Sequence, residues 1–169
     1  MEIVKMLLPE SKYAIKCPYQ MNPEFIIIHN TANDASAMAE ISYMIGNNNK
    51  VSFHCAIDNC RIVQGVPFNR NTWNATDGGN GKGNRKGIAL EICYSKSGGE
   101  RFEEAQKLAA EYTAYLLKQN NWGIDKVKNW NVTTRAGAAA AKSTRIATCG
   151  LMKRFMALSW KDISCPDMI

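Results

Sequence analysis

His29 and Glu91 are the side chains of this sequence best placed for acid–base or metal chemistry. His29 follows the apolar run Ile26 to Ile28, and the end of a buried strand is where α/β sheets place catalytic groups. Glu91 stands inside a second apolar run, 88–93, where burying a lone carboxylate is costly. Two plainer readings stay open: a hydrogen-bonded core histidine, and a glutamate that faces water on an edge strand.

Other side chains give weaker signals for a site. The six cysteines are irregularly spaced and form no Cys-x-x-Cys pair, which favours free thiols over a disulfide framework or a zinc ribbon. The loop 78–84 is rich in glycine but lacks the spacing of a phosphate-binding loop, and Gly83 rather than Ser or Thr follows Lys82. A nucleotide site is therefore disfavoured.

Composition limits the classes of protein to consider. A chain of 169 residues suggests one domain, and 46% hydrophobic with 21% charged residues is ordinary for a globular protein. The net charge of +6 would attract a polyanion, either nucleic acid or an anionic cell wall. Because the basic residues are spread along the chain without a nucleic-acid motif, nucleic acid is disfavoured. There is no apolar run of about 18 residues and no pattern of a secretory signal.

The hydrophobic patterns predict a single α/β domain with a mixed central β-sheet flanked by α-helices. In chain order, the predicted elements are a strand at 25–28, a helix at 35–45 capped by Asp34, strands at 51–57 and 61–66, a loop at 69–85, a strand at 87–94, a helix at 103–119 and a short strand near Val127. The last third changes character: an alanine-rich run at 136–141 precedes a predicted helix at 148–158. We expect the domain to span 1–158, divergent from about 129, with an irregular tail at 159–169.

Several motifs together resemble one known family. Ile27-Ile28-His29-Asn30-Thr31, Val51-Ser52-Phe53-His54 and Ile88-Ala89-Leu90-Glu91-Ile92-Cys93-Tyr94 are similar to segments of the N-acetylmuramoyl-L-alanine amidases of Bacillus-type phage endolysins, whose superfamily includes the peptidoglycan recognition proteins. The segments 64–67, 83–85 and 95–99 fit as well, together with Trp73 and Asp77-Gly78. The resemblance covers about residues 2–128.

The resemblance implies a fold, a reaction and a site. The expected fold is that of the peptidoglycan recognition proteins, and the expected reaction is zinc-dependent cleavage of the amide between N-acetylmuramic acid and L-alanine of the stem peptide. His29 would be a zinc ligand and Glu91 the acid/base, while His54, Trp73 and Asp77 would contact the substrate. Bacterial peptidoglycan is the implied partner of a monomer that binds neither nucleic acid nor membrane. Such a protein would be cytoplasmic in the producing cell and reach the wall at lysis.

The last third departs from the family pattern at the metal ligands. Where the family has a second ligand histidine, this sequence has Trp130, whose indole nitrogen carries a hydrogen and cannot coordinate zinc. The best match to the third ligand, a cysteine, is Lys142. Three accounts stay open: a substitute ligand such as Cys149, a degenerate amidase that binds peptidoglycan without turnover, or an altered C-terminal segment in an otherwise normal enzyme.

Overall fold

The structure is a computed structural model in which residues 1–129 are described. Six strands form one sheet in the order β1-β4-β3-β5-β2-β6. They are β1 (Ile3–Lys5), β2 (Phe25–Asn30), β3 (Cys55–Ile57), β4 (Ile62–Gln64), β5 (Gly87–Ile92) and β6 (Val127–Asn129). Only β3 and β4 pair antiparallel among these strands, so the sheet is mixed, as the sequence predicts.

Four α-helices accompany the described part of the sheet. They are α1 (Tyr13–Lys16), α2 (Ala37–Gly46), α3 (Lys82–Lys86) and α4 (Gly99–Gln119), with short 3-10 turns at Glu10–Lys12 and Ile124–Lys126. α2 packs against β3 and β4, whereas α4 packs against β5 and β3. Within residues 1–129, no helix has the length and apolarity needed to cross a membrane.

The two faces of the sheet are buried in separate cores. One core joins Ile26, Ile28 and Leu90 to the small and apolar residues of α4. The other joins residues of α2 to Ala89 and further side chains of the opposite face. Because side chains alternate along a strand, His29 and Glu91 point to the face of Ala89, which α2 covers.

Some predicted boundaries are wrong. The predicted strands 51–57 and 61–66 shorten to β3 and β4, and α4 begins at Gly99 rather than at residue 103. The loop predicted at 69–85 contains α3, and no prediction was made for β1 or α1. The predicted helix 148–158, the tail 159–169, and Trp130, Lys142 and Cys149 lie outside the described residues.

The predicted cap of the first long helix is also wrong. Ser36, not Asp34, is the N-cap of α2, and its hydroxyl accepts a hydrogen bond from the Ala39 amide at 3.3 Å. The Asp34 carboxylate instead accepts hydrogen bonds from the backbone and hydroxyl of Ser97 at 2.9 and 2.6 Å. Asp34 therefore ties the loop after β2 to the loop after β5.

Candidate functional site

His29 and Glu91 lie side by side at the carboxyl ends of two neighbouring parallel strands. They are register partners between β2 and β5. The distance from His29 Nδ1 to Glu91 Oε1 is 3.5 Å, and the two side chains are only 2% and 12% exposed. An imidazole and a carboxylate this close can share or relay a proton. The structure thus brings together the two residues that the sequence singles out.

The second ring nitrogen of His29 is free for another partner. His29 Nε2 is shielded from solvent and has no hydrogen-bond partner. Thr31 Oγ1 and Asn74 Nδ2 are also buried without a partner. Buried polar atoms are nearly always paired, so each unpaired atom calls for an explanation. All three residues line one cavity of about 630 Å³.

The cavity takes its walls from several loops and from α2. Its lining consists of His29, Asn30, Thr31, Ala32, Glu40, Lys50, Val51, Phe53, Trp73, Asn74, Thr76, Gly78, Gly79, Asn84 and Glu91. Apolar and polar groups therefore face the same space, as is usual for small-molecule sites.

Glu40 places a second carboxyl group in this cavity. It is half-buried on α2 and accepts a hydrogen bond from Asn33 Nδ2. Burial raises the pKa of the Glu40 carboxyl, the Asn33 hydrogen bond opposes that shift, and the charge of Glu91 adds to it. Sequence reasoning missed Glu40 because a single glutamate on an amphipathic helix looks like an ordinary solvated residue.

Trp73 forms part of the cavity wall. Its indole Nε1 donates to the Ile15 carbonyl at 3.0 Å, and the residue is 8% exposed. Lys50 Nζ stands 4.5 Å from the centroid of the indole ring, a cation–π contact. The hydrogen bond to the Ile15 carbonyl thus fixes the Trp73 indole ring, and the Lys50 ammonium covers one of its faces.

His54 is not brought into the cavity. It is fully buried, its Nδ1 accepts from the Ala89 amide at 2.8 Å, and its Nε2 donates to the Arg70 carbonyl at 2.9 Å. Burial lowers the pKa of His54 to about 4, and the Arg70 carbonyl opposes that shift. The geometry gives His54 a neutral ring that fastens β5 to the loop before Trp73.

Asp77 is also not among the lining residues. Its carboxylate accepts hydrogen bonds from the amides of Gly83 at 2.6 Å and Asn84 at 3.2 Å, in the first turn of α3. A Cβ on Gly81 would lie 2.0 Å from the Asp77 carboxyl carbon, so this approach requires glycine there. Asp77 therefore shapes the loop that carries Gly78 and Gly79 into the cavity wall.

Asn84 completes the same loop from the helix side. Its Oδ1 accepts from the amides of Asn74 and Ala75 at 3.0 and 2.8 Å, and its Nδ2 donates to the Gly78 carbonyl at 3.0 Å. The Asn84 side chain thus links α3 to the backbone of the loop at Asn74, Ala75 and Gly78. The Gly-Asn-rich composition of the segment signalled a loop but not this internal hydrogen bonding.

The described residues meet the needs of a zinc site only in part. His29 Nε2 is an unpaired nitrogen at the cavity, which suits a metal ligand. However, no group of three His, Cys, Asp or Glu side chains within residues 1–129 could hold a metal ion. The positions matched to the other two ligands, Trp130 and Lys142, and the substitute Cys149 lie beyond that part of the chain.

The mixed sheet thus carries a paired histidine and glutamate at the carboxyl ends of β2 and β5, beside a cavity, which is where α/β folds place ligand sites. Residues 19–147 match the model of the Amidase_2 family, N-acetylmuramoyl-L-alanine amidase. The chain belongs to this family.

Individual relatives agree with the family match. The chain is 56% identical over 133 residues to the N-acetylmuramoyl-L-alanine amidase CwlA of Bacillus subtilis, covering 77% of this chain and 49% of CwlA. It is 58% identical over 126 residues to the N-acetylmuramoyl-L-alanine amidase XlyB of the same organism, covering 75% of this chain and 40% of XlyB. The chain thus spans about half or less of the length of these relatives.

Solved structures share the fold. The structure of PlyL superposes with a TM-score of 0.81 at 42% identity, covering 92% of this chain and 97% of PlyL. The PlyG catalytic domain gives a TM-score of 0.80 at 44% identity, covering 92% of this chain and 96% of that domain. The expected single-domain α/β fold of the amidase family is therefore confirmed.

Proposed function

We propose that the chain is a peptidoglycan hydrolase that cleaves the amide between N-acetylmuramic acid and L-alanine of the stem peptide. The observation that carries this proposal is the pairing of His29 with Glu91, 3.5 Å apart, in the wall of a cavity. Family membership and the printed names of CwlA and XlyB support the same reaction.

Glu91 is the acid/base of the proposed reaction. Its carboxylate takes a proton from a water molecule that attacks the amide carbonyl, and then passes that proton to the leaving amine of L-alanine. A side chain only 12% exposed can hold this proton without exchanging it freely with bulk water. Residues from the loops around it, Trp73 among them, bind the substrate, while His54 and Asp77 support those loops.

Zinc is the proposed cofactor, with His29 Nε2 as one ligand. When bound, zinc would polarise the amide carbonyl and favour ionisation of the attacking water. A catalytic zinc site takes three protein ligands, and residues 1–129 offer no group of three, so at least one ligand must come from residues after 129, with Cys149 as one candidate.

The finer biological setting is part of the same proposal. The protein is a lysin of phage type, a monomer made in the cytoplasm that acts on the bacterial wall after release at lysis. The catalytic domain extends over 1–158, with 159–169 as a tail. Neither nucleic acid nor a membrane is its target, and its use would be antimicrobial.

Turbidity of Gram-positive cell walls tests the reaction. The purified protein with added zinc should clear a wall suspension and release free amino termini. Glu91→Gln, which keeps the size of the side chain but cannot exchange protons, should lower the rate by roughly 10²–10⁴-fold and keep the fold. A wild-type protein that releases no amino termini at any zinc concentration would contradict the proposal.

A second candidate function is binding of peptidoglycan without turnover. The specific observation in its favour is that the positions matched to the family's second and third ligands hold Trp130 and Lys142. Metal analysis separates the two functions, because about one zinc per chain requires a full ligand set. Retention on insoluble walls with neither zinc nor released amino termini would establish the binding function instead.

A further inference from the structure

The cavity wall formed by Lys50, Trp73 and Asn74 carries polar groups that the proposed reaction does not use. Lys50 Nζ lies over the Trp73 ring, and the lysine is exposed. Among residues 1–129, Lys50 belongs to none of the ion pairs that the structure shows. Glu40 and Glu91 line the same cavity but form no ion pair with Lys50, so its ammonium can bind an anionic ligand.

The position of Lys50 is built into the fold. Two residues later, Ser52 pairs with Trp73 through backbone hydrogen bonds of 3.2 and 3.1 Å. The buried Lys16 Nζ donates to the Val51 carbonyl at 3.0 Å. These contacts hold the backbone beside Lys50 and the ring beneath it, so little order must be gained when a ligand binds.

Asn74 adds a hydrogen-bond donor to the same wall. Its backbone amide is held by Asn84 Oδ1, whereas its side-chain Nδ2 is buried without a partner. A buried donor without an acceptor is unfavourable, and a ligand oxygen would relieve this cost. The last torsion of an asparagine is soft, so a small rotation can turn the amide toward the cavity.

We propose that Lys50 and Asn74 form a carboxylate subsite that binds the second residue of the stem peptide. That residue carries the first carboxylate beyond the amide to be cut, and bacterial walls contain it as a free carboxylate or as a carboxamide. An ammonium and an amide N–H both donate to a carboxylate, whereas a carboxamide offers one weaker acceptor and no charge. The identity of this ligand rests on the proposed function.

Binding of two muramyl dipeptides tests the subsite. The full chain carrying Glu91→Gln, which prevents turnover, is titrated calorimetrically with the γ-methylamides of N-acetylmuramoyl-L-alanyl-D-glutamic acid and of N-acetylmuramoyl-L-alanyl-D-isoglutamine, which differ only in having an α-carboxylate or an α-carboxamide. We expect the carboxylate ligand to bind about tenfold more tightly, as befits one charge-assisted hydrogen-bonded contact. Equal affinities for the two ligands would overturn the proposal.

Variants assign the preference to these residues. Lys50→Met should reduce the preference to less than about twofold, Lys50→Arg should retain it, and Asn74→Ala should weaken binding of the carboxylate ligand. Lys5→Met is the matched control, because Lys5 is an exposed lysine on β1 and does not line the cavity. A preference that survives Lys50→Met would also overturn the assignment.

Two further measurements show which carboxylate Lys50 binds and whether a failure concerns the subsite or the proposed hydrolase activity. Free N-acetylmuramic acid carries a lactyl carboxylate, and if it binds in a manner that depends on Lys50, the subsite is not for the second residue. Wall hydrolysis by the wild type is measured in parallel. Hydrolysis without a carboxylate preference contradicts the subsite alone, whereas a Lys50-dependent preference without hydrolysis contradicts the hydrolase and supports the subsite.

Discussion

The two histidines of the chain differ in what their ring nitrogens meet. His29 points one nitrogen at Glu91 and leaves the other without a partner beside a cavity. Both ring nitrogens of His54 form hydrogen bonds with backbone groups, the Ala89 amide and the Arg70 carbonyl. A side chain that is fully satisfied by the backbone has little capacity left for a ligand, so of the two rings only that of His29 has a nitrogen available for one.

The buried ring of His54 makes stability depend on pH. Burial lowers the pKa of His54 to about 4 in the folded chain, against an ordinary value of 6.5, so the unfolded chain binds the proton first as pH falls. The stabilisation from the neutral ring is therefore complete above pH 6.5 and is lost as pH falls toward 4, by a total of about 3 kcal/mol.

Replacing His54 tests this linkage. His54→Leu should destabilise the fold at pH 7 by about 2–4 kcal/mol, because an amide and a carbonyl lose their partners. Urea unfolding between pH 7 and pH 5 should then show a smaller loss of stability in the variant than in the wild type. Identical pH slopes would mean that His54 does not carry the effect.

How far the sequence predicts single residues depends on their surroundings. His29 and Glu91 could be singled out because His29 directly follows an apolar run and Glu91 interrupts one. Glu40, Lys50 and Asn74 could not, since a charged or amide side chain near a helix or in a polar loop is ordinary. Their meeting in one cavity depends on loop paths that no local pattern encodes.

At the scale of elements, the strength of the apolar pattern decided what could be predicted. β2 and β5 are buried runs bounded by turn residues, and both were predicted. β1 and α3 are only 3 and 5 residues long, and tertiary contacts rather than local preference hold them. Asp34 is a suitable N-cap by residue type, but α2 begins at Ala37, so Ser36 is the residue in the N-cap position.

Substitution at the start of α2 distinguishes the two capping candidates. Ser36→Ala should lower the free energy of unfolding by about 1 kcal/mol, because the Ala39 amide loses its acceptor. Thermal or urea denaturation followed by circular dichroism measures the change. Asp34→Ala should instead loosen the loop at Ser97, which amide exchange reports, and a protected Ser97 amide in that variant would contradict this division of roles.

The loop between Trp73 and α3 depends on one carboxylate. Asp77→Ala removes the acceptor of the Gly83 and Asn84 amides, which we expect to cost about 1–2 kcal/mol. Amide exchange should speed up across 74–84 and stay unchanged in α4. An Asp77→Ala chain with unaltered exchange but weakened substrate binding would restore Asp77 as a residue that contacts substrate.

At the scale of the whole molecule, charge should add a long-range contribution to the proposed wall binding. A net charge of +6 should attract an anionic wall at low ionic strength. Because the screening length falls from about 10 Å at 0.1 M salt to about 3 Å at 1 M, retention on walls should decrease steeply over that range. Sedimentation of walls with bound protein measures it, and retention that does not change with salt would show that charge is unimportant.

His29 and Glu91 stand on strands, whereas Lys50, Asn74 and Gly78 stand on loops. Register between β2 and β5 sets the distance between the imidazole and the carboxylate whatever the loops do. Under the proposed function, exchange of these loops should therefore redirect the choice of substrate while the geometry of the pair is kept. The domain would then be a practical starting point for engineered variants with altered wall specificity.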